Sequence, residues 1–280
     1  MVTILDGKAT TKTIMEELSD QIESLKVGGI TPGLALVLTG SEKNSARYVK
    51  LKKKRAEKIG IYTEFHQLED TTQEVLIRLI KNLNEDPKIH GIMVQLPLME
   101  GLDELAAVDA IKPEKDVDGL SPNTLGKILM GEEAYMPAGV DAILELLERY
   151  NLDIEGKHWV VVGSSNFLSK PLVAALVNKN VKVSVCREDD SEYHNLVKSA
   201  DILSTEIFRK HAITSNMVKK GVIIIDNGNN YEGKKVYGDV DYEEISKKAS
   251  AITPVPGGVG PMLIAMLLKN TILAAKKSTV

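Results

Sequence analysis

Cysteine is almost missing: Cys186 is the only one in 280 residues. One cysteine excludes an internal disulfide framework and a multi-cysteine zinc site, and it fits a reducing compartment. Long apolar runs are missing too. The longest, Pro261 to Leu268, is stopped by Lys269-Asn270 and is too short to cross a bilayer. The start, Met1-Val2-Thr3-Ile4-Leu5-Asp6-Gly7-Lys8, lacks the charged-then-apolar order of a signal peptide. Large charge imbalance is absent: the net charge of -4 gives no reason to expect nucleic acid or a membrane surface as partner. Five histidines, at 66, 90, 158, 194 and 211, form no metal-ligand spacing, and neither a Gly-x-Ser-x-Gly elbow nor a Walker loop occurs. The expectation is a soluble, cytoplasmic protein that works without a metal.

What the chain does have is alternation. Strand-length apolar runs at 34–38, 61–66 and 91–96 are separated by helical segments, roughly 42–59 and one opening at Thr71-Thr72-Gln73-Glu74. A β-α-β-α-β order implies a parallel sheet covered by helices. A second cycle follows a helix at about 140–150, with strands at 159–162, 181–185, 200–203 and 222–226, and a helix around 168–178. A closing helix is expected over about 261–275. The breaks fall near Met136-Pro137-Ala138-Gly139 and at Thr253-Pro254-Val255-Pro256-Gly257-Gly258. The fold class expected is α/β: two α/β domains with a cleft between them, the second a Rossmann-type parallel sheet. Residues 1–137 plus 257–280 would form the first and 138–256 the second.

Several residues stand where parallel sheets bind ligands, beyond the strand C-termini. Tyr48 and Lys52 are four apart on the first long helix and share a face, although on a helix so rich in lysine the pair also reads as part of a solvated basic surface. Gln95 ends the third strand inside an apolar run, where an unpaired amide would cost about 1–3 kcal/mol; it could equally satisfy a loop backbone. Lys115-Asp116-Val117-Asp118-Gly119 puts two carboxylates in a turn, which is also ordinary turn chemistry. Residues 253–261 hold three prolines and three glycines, a ribbon that lets a ligand approach the main chain closely. Gly163-Ser164-Ser165 joins a strand to a helix, the context of a dinucleotide loop without the full Gly-x-Gly-x-x-Gly fingerprint. Past the next strand, Arg187 would favour a ribose 2′-phosphate and Glu188 a free 2′-hydroxyl. The two point opposite ways.

Taken together, Ser45-Ala46-Arg47-Tyr48-Val49-Lys50-Leu51-Lys52, Val94-Gln95-Leu96-Pro97-Leu98, Lys115-Asp116-Val117-Asp118-Gly119 and Pro256-Gly257-Gly258-Val259-Gly260-Pro261-Met262 resemble the bifunctional methylenetetrahydrofolate dehydrogenase/cyclohydrolase family, in order and separation. The resemblance implies that Tyr48 stacks on a folate and that Lys52 is the central acid/base group. It implies that Gln95 positions the lysine and Asp118 hydrogen-bonds the pterin, with Pro97, Gly260 and Pro261 beside the substrate. The implied chemistry is oxidation of 5,10-methylenetetrahydrofolate and hydrolysis of the methenyl product to 10-formyltetrahydrofolate, in one-carbon metabolism. NADP is the expected cofactor, NAD a possible one, held by Gly163, Ser164, Ser165, Arg187 and Asn229. A homodimer is implied as well.

The departures from the family pattern concentrate on the nucleotide side. The loop G-R-S-x-x-V-G-x-P is Gly163-Ser164-Ser165-Asn166-Phe167-Leu168-Ser169-Lys170-Pro171, and a V-G-x-P segment is replaced by Ser204-Thr205-Glu206-Ile207-Phe208-Arg209. D-x-G-I-N is Asp226-Asn227-Gly228-Asn229-Asn230, and the hinge P-C-T-P-x-G is shortened to Met136-Pro137-Ala138-Gly139. A cyclohydrolase with weakened dehydrogenase activity, an NAD-preferring enzyme, a binding protein without turnover and a shikimate-type dehydrogenase are the competing readings.

Overall fold

The computed structural model describes residues 1–278. In chain order, the strands are β1 (Thr3–Ile4), β2 (Gly33–Thr39), β3 (Tyr62–Leu68), β4 (Gly91–Val94), β5 (His158–Val162), β6 (Lys182–Cys186), β7 (Ile202–Thr205), β8 (Ile223–Asp226), β9 (Asn230–Glu232), β10 (Lys235–Tyr237) and β11 (Ala251–Ile252). The helices are α1 (Gly7–Val27), α2 (Lys43–Ile59), α3 (Gln73–Glu85), α4 (Glu104–Asp109), α5 (Pro122–Met130), α6 (Ala138–Arg149), α7 (Ser169–Leu176), α8 (Tyr193–Ser199), α9 (Tyr242–Ser246) and α10 (Leu263–Lys277). Two compact α/β units form. One comprises Thr13–Ala138 and the chain from Ile264 onward; the other comprises Met1–Lys12 and Gly139–Leu263.

The first unit carries a three-stranded parallel sheet in the order β3-β2-β4. All seven residues of β2 are buried, as a central strand covered on both faces requires. Ala35 and Val37 pack with Ile92 and Val94 against Leu76, Ile80 and Leu83 of α3. The helices begin and end where local chemistry says they should. The Glu42 carboxylate accepts the Asn44 and Ser45 N–H groups at the start of α2, and the Thr72 hydroxyl accepts the Val75 N–H at the start of α3. Gly60, at φ 96°, closes α2 in the left-handed conformation.

The second unit carries a six-stranded sheet in the order β1-β11-β8-β7-β5-β6, with every pairing parallel. Its order reverses between β5 and β7, a doubly wound arrangement of Rossmann type. Val160, Val162, Leu203 and Ile224 meet Val197, Val218 and Ile245 in its core. Cys186, 2% exposed, belongs to the same core, and burial pushes its thiol up to about 11. It is an apolar packing residue rather than a nucleophile.

The compact units differ from the expected division at two places. Residues 1–12 belong to the second unit, because β1 pairs with β11 in register Thr3 with Ala251 and Ile4 with Ile252. Residues 257–263 belong there too. The Gly258 carbonyl lies against Gly7, where a Cβ would come within 1.8 Å of it, and the Lys8 N–H donates to the Gly257 carbonyl. Strands this short leave no periodic trace in a sequence. The antiparallel β9-β10 hairpin was likewise unmarked by apolar alternation.

Candidate active site

The sheet of the first unit also reverses direction, between β2 and β4. Segments leaving the C-terminal ends of these neighbours diverge and open a crevice, the general place for ligands in such sheets. One segment leads into α2; the other begins at Gln95. Lys52, in the third turn of α2, is only 6% exposed. Its Nζ donates to Gln95 Oε1 at 3.0 Å, contacts Met93 Sδ at 3.7 Å, and sits 4.6 Å from the centre of the Tyr48 ring. Gln95 is fixed in turn: its backbone N–H donates to the Val37 carbonyl and its Nε2 donates to the Leu96 carbonyl at 2.6 Å. The amide therefore serves the loop backbone and the lysine together, so the two readings of Gln95 were not exclusive.

Burial moves the titrations in opposite directions. Desolvation lowers the Lys52 ammonium to about 8, against a smaller opposing pull from Asp118. Desolvation first and Asp118 second raise the Tyr48 phenol to about 12, so it stays protonated. Asp118 is itself raised above the ordinary carboxylate range by burial, with Lys52 opposing and Asp116 adding to the rise.

The two acids of the Asp116-Val117-Asp118 turn have separate tasks. Asp116, 1% exposed, accepts the N–H groups of Gly119, Leu120 and Ser121 and the Thr124 hydroxyl, and so builds the turn. Among the described residues none donates a hydrogen bond to the Asp118 carboxylate. Asp118 is only partly buried, so its carboxylate is open to solvent or to a ligand. Tyr48, Lys52, Gln95 and Asp118 are thus brought together, with Pro97 exposed just beyond Gln95. A cavity of about 570 Å³ lies elsewhere in this unit, lined by His90, Lys115, Lys127, Tyr135 and Lys277. There His90 Nδ1 accepts the Gly33 N–H, while Lys115 donates to the Leu83 and Asp86 carbonyls. Those polar groups are used by the fold.

In the second unit, Gly163 follows β5 at φ 148°, and a Cβ there would come within 2.4 Å of Ser169 Oγ. Only glycine suits that turn. Ser165 Oγ accepts the N–H groups of Phe167, Leu168 and Ser169 at the start of α7. Glu206, the first residue after β7, reaches the same place: its carboxylate accepts from Ser165 Oγ at 2.6 Å and from Ser169 N and Oγ at 3.2 and 2.5 Å. The donors of this turn are thus directed at a carboxylate of the same unit, as donors at a helix start can be directed at an anion. Glu206 was not singled out from the sequence. The signal was there, an acid at the C-terminal end of a buried parallel strand, the same argument that marked Gln95.

The other expected nucleotide contacts are more loosely placed. The Arg187 side chain, 61% exposed, reaches Asp189 at 3.2 Å and Asp190 at 3.8 Å, while Glu188 pairs with Arg209. Asn229 is exposed and donates to the Tyr231 hydroxyl. Ser164 is exposed in the turn. Gly260 and Pro261 lie in a short 3-10 turn of the second unit, where a Cβ on Gly260 would meet open space. The segment after Glu206 is pinned by Asp239, which accepts the Ile207 and Arg209 N–H groups. Asp226, the acid of the D-x-G-I-N match, accepts the Asp239 and Val240 N–H groups, and nothing in the sequence marks Asp239.

A buried lysine brought down to about 8 in one sheet crevice, and a glycine turn closed by a carboxylate in a Rossmann-type unit, are the candidate sites of a two-unit α/β enzyme. Residues 5–118 match the model of the tetrahydrofolate dehydrogenase/cyclohydrolase catalytic domain, and residues 137–279 match the NAD(P)-binding domain of the same family. The bifunctional protein FolD of Nautilia profundicola is 45% identical over 277 residues, 98% of either chain. The crystal structure of the FolD methylenetetrahydrofolate dehydrogenase/cyclohydrolase from Campylobacter jejuni superimposes with a TM-score of 0.97 at 42% identity, covering 99% of this chain and 100% of that one. The Trypanosoma brucei FolD structure, complexed with NADP and an inhibitor, gives 0.93 at 34% identity, covering 99% and 98%. The chain belongs to the tetrahydrofolate dehydrogenase/cyclohydrolase family.

Proposed function

We propose that this protein oxidises 5,10-methylenetetrahydrofolate to the methenyl form with NADP and hydrolyses that product to 10-formyltetrahydrofolate. The single observation that carries the reading is the Lys52 amine. It is buried against Gln95 and Tyr48, brought to about 8 by desolvation, and faces an acid with no hydrogen-bond donor. Bound NADP supplies the hydride acceptor.

The chain's own residues supply the rest. The Tyr48 ring offers a flat apolar surface for a pterin. Asp118 accepts paired N–H bonds from the aminopyrimidinone, which replaces the donors it lacks. A neutral Lys52 amine takes a proton from water as its oxygen bonds the methenyl carbon. The ammonium so formed returns that proton to the ring nitrogen as the carbon–nitrogen bond breaks, and the adduct's hydroxyl proton passes to solvent as the formyl C=O forms. Gln95 Oε1 holds the amine on line through both steps. Pro97, Gly260 and Pro261 are assigned to the substrate, and Gly163, Ser164, Ser165, Arg187 and Asn229 to the nucleotide. The folate side is proposed for residues 1–137 with 257–280 and the nucleotide side for 138–256.

The test is direct. Purified protein given methylenetetrahydrofolate and NADP should produce reduced cofactor, and methenyltetrahydrofolate should be hydrolysed faster than in buffer. Failure of both would end the reading.

Arg187 is assigned to the 2′-phosphate, for which it must exchange its two aspartates. Arg187→Ala is expected to raise the KM for NADP at least about tenfold, with a smaller change for NAD, since a bidentate charged contact is lost. Steady-state kinetics with both nucleotides checks it. A cytoplasmic homodimer completes the proposal. β6 forms an unpaired sheet edge with Val185 48% exposed, which suits association through the second unit. Sedimentation at the mass of two chains is expected.

A further inference from the structure

We propose that Glu206 is an internal occupant of the dinucleotide-phosphate seat, which must leave its serines before NADP can settle there, and that it holds dinucleotide affinity down. The inference rests on the reading of NADP as the cofactor. It concerns a residue that the family's V-G-x-P pattern does not supply.

Three observations lead to it. First, β5 and β7 are neighbours, and the sheet order reverses between them, so the segments leaving their C-terminal ends frame the crevice where a doubly wound sheet takes its ligand. Gly163 leaves one strand and Glu206 the other. Second, the donors that a phosphate would use are already committed. Ser165 Oγ and the Ser169 hydroxyl and N–H all donate to the Glu206 carboxylate, at 2.5–3.2 Å. The positive end of α7 favours one anion at a time. Third, among the described residues no cation is paired with Glu206, and the cations around the turn have other partners. Lys170 donates to Asn166 Oδ1 at 2.6 Å, Arg209 is paired with Glu188, and Arg187 with Asp189 and Asp190.

Space is short as well. Glu206 Cβ lies 3.1 Å from where a Gly163 side chain would begin. Glu206 also lines a narrow gap with Leu168, Ser169, Thr205 and Asn227, in which the buried Asn227 Oδ1 has no hydrogen-bond partner. A pyrophosphate entering beside the carboxylate would meet like charge in a poorly hydrated place, where Coulomb repulsion is weakly screened. Binding therefore includes the work of turning Glu206 out into water.

The experiment is calorimetric titration of the full-length protein and its Glu206→Gln variant with NADP, NAD and adenosine 2′-phosphate. Glutamine keeps the length and can still accept from the serines, but carries no charge. NADP and NAD are expected to bind the variant at least tenfold more tightly. Adenosine 2′-phosphate, which has no pyrophosphate, should bind both proteins alike. Equal or weaker dinucleotide binding by E206Q would overturn the proposal and leave the cofactor reading standing. A gain shared equally by adenosine 2′-phosphate would overturn it too. Binding of neither dinucleotide by either protein would remove the cofactor reading, and the proposal with it. If E206Q does not fold, Glu206→Asp, which withdraws the carboxylate from the serines, carries the same expectation with a smaller gain.

Discussion

Replacing Lys52 by methionine is expected to lower the rate of methenyltetrahydrofolate hydrolysis by about 10²- to 10⁴-fold, the usual contribution of a positioned acid/base group. Folate should still bind, because the ring of Tyr48 and the carboxylate of Asp118 are untouched. The same change should make the protein more stable, which separates a role in chemistry from a role in folding. In the unfolded chain the ammonium titrates near its ordinary 10.5; in the native state it titrates at about 8. Between those values the unfolded state holds the extra proton, so stability rises as the pH rises through the window. Below about 8 the amine is charged in both states and the full burden is present, about 3 kcal/mol. Methionine has similar length and no charge, and so removes that burden. Urea denaturation at pH 7 should show K52M more stable than the parent, with the difference shrinking above pH 9. A variant that is both less stable and fully active would mean the amine is only a packing element.

The second large effect is expected at Asp118. Asp118→Asn should weaken folate binding by about 10- to 100-fold, the range for a charged hydrogen-bond acceptor lost from a partly buried site. Its effect on the lysine has a definite sign. Asp118 favours the charged form of Lys52, so its neutralisation should lower the amine further below 8. The pH dependence of hydrolysis should shift toward acid in D118N while the folate KM rises. Calorimetric titration with a folate analogue, together with pH–rate data, distinguishes this from a structural defect. Asp116→Asn serves as contrast: it loses the turn's four hydrogen bonds and should lower the Tm.

The residues proposed for the folate side stand out in the sequence because they break the pattern around them. Gln95 interrupts an apolar strand, and Lys52 interrupts the buried stripe Val49, Ala56 and Ile59 of an otherwise basic helix. A polar group in such a place must be paired, and pairing locates its partner. The division of labour between Asp116 and Asp118 was not legible, since both sit in one turn and only geometry shows which carboxylate the backbone consumes. The ribbon at 253–261 was read as room for a ligand. At Gly258 the room is taken by the fold, because a Cβ there would come within 2.7 Å of Thr253 Cβ. The nucleotide side was harder for another reason. Its proposed anion seat depends on a contact between Ser165 and Glu206, 41 residues apart, and departure from a familiar loop says what is missing rather than what has taken its place. The short pairing of β1 with β11 was invisible because two residues carry no periodicity.

The proposed mechanism depends on a buried lysine that loses its proton near pH 8 rather than near 10.5. The pH dependence of kcat/KM for methenyltetrahydrofolate hydrolysis, corrected for the reaction in buffer, tests that most directly. The rate should climb through an inflection near 8, where Lys52 loses its proton, and the inflection should vanish in K52M. A profile flat from pH 6.5 to 9.5, or an inflection that survives the loss of Lys52, would contradict it.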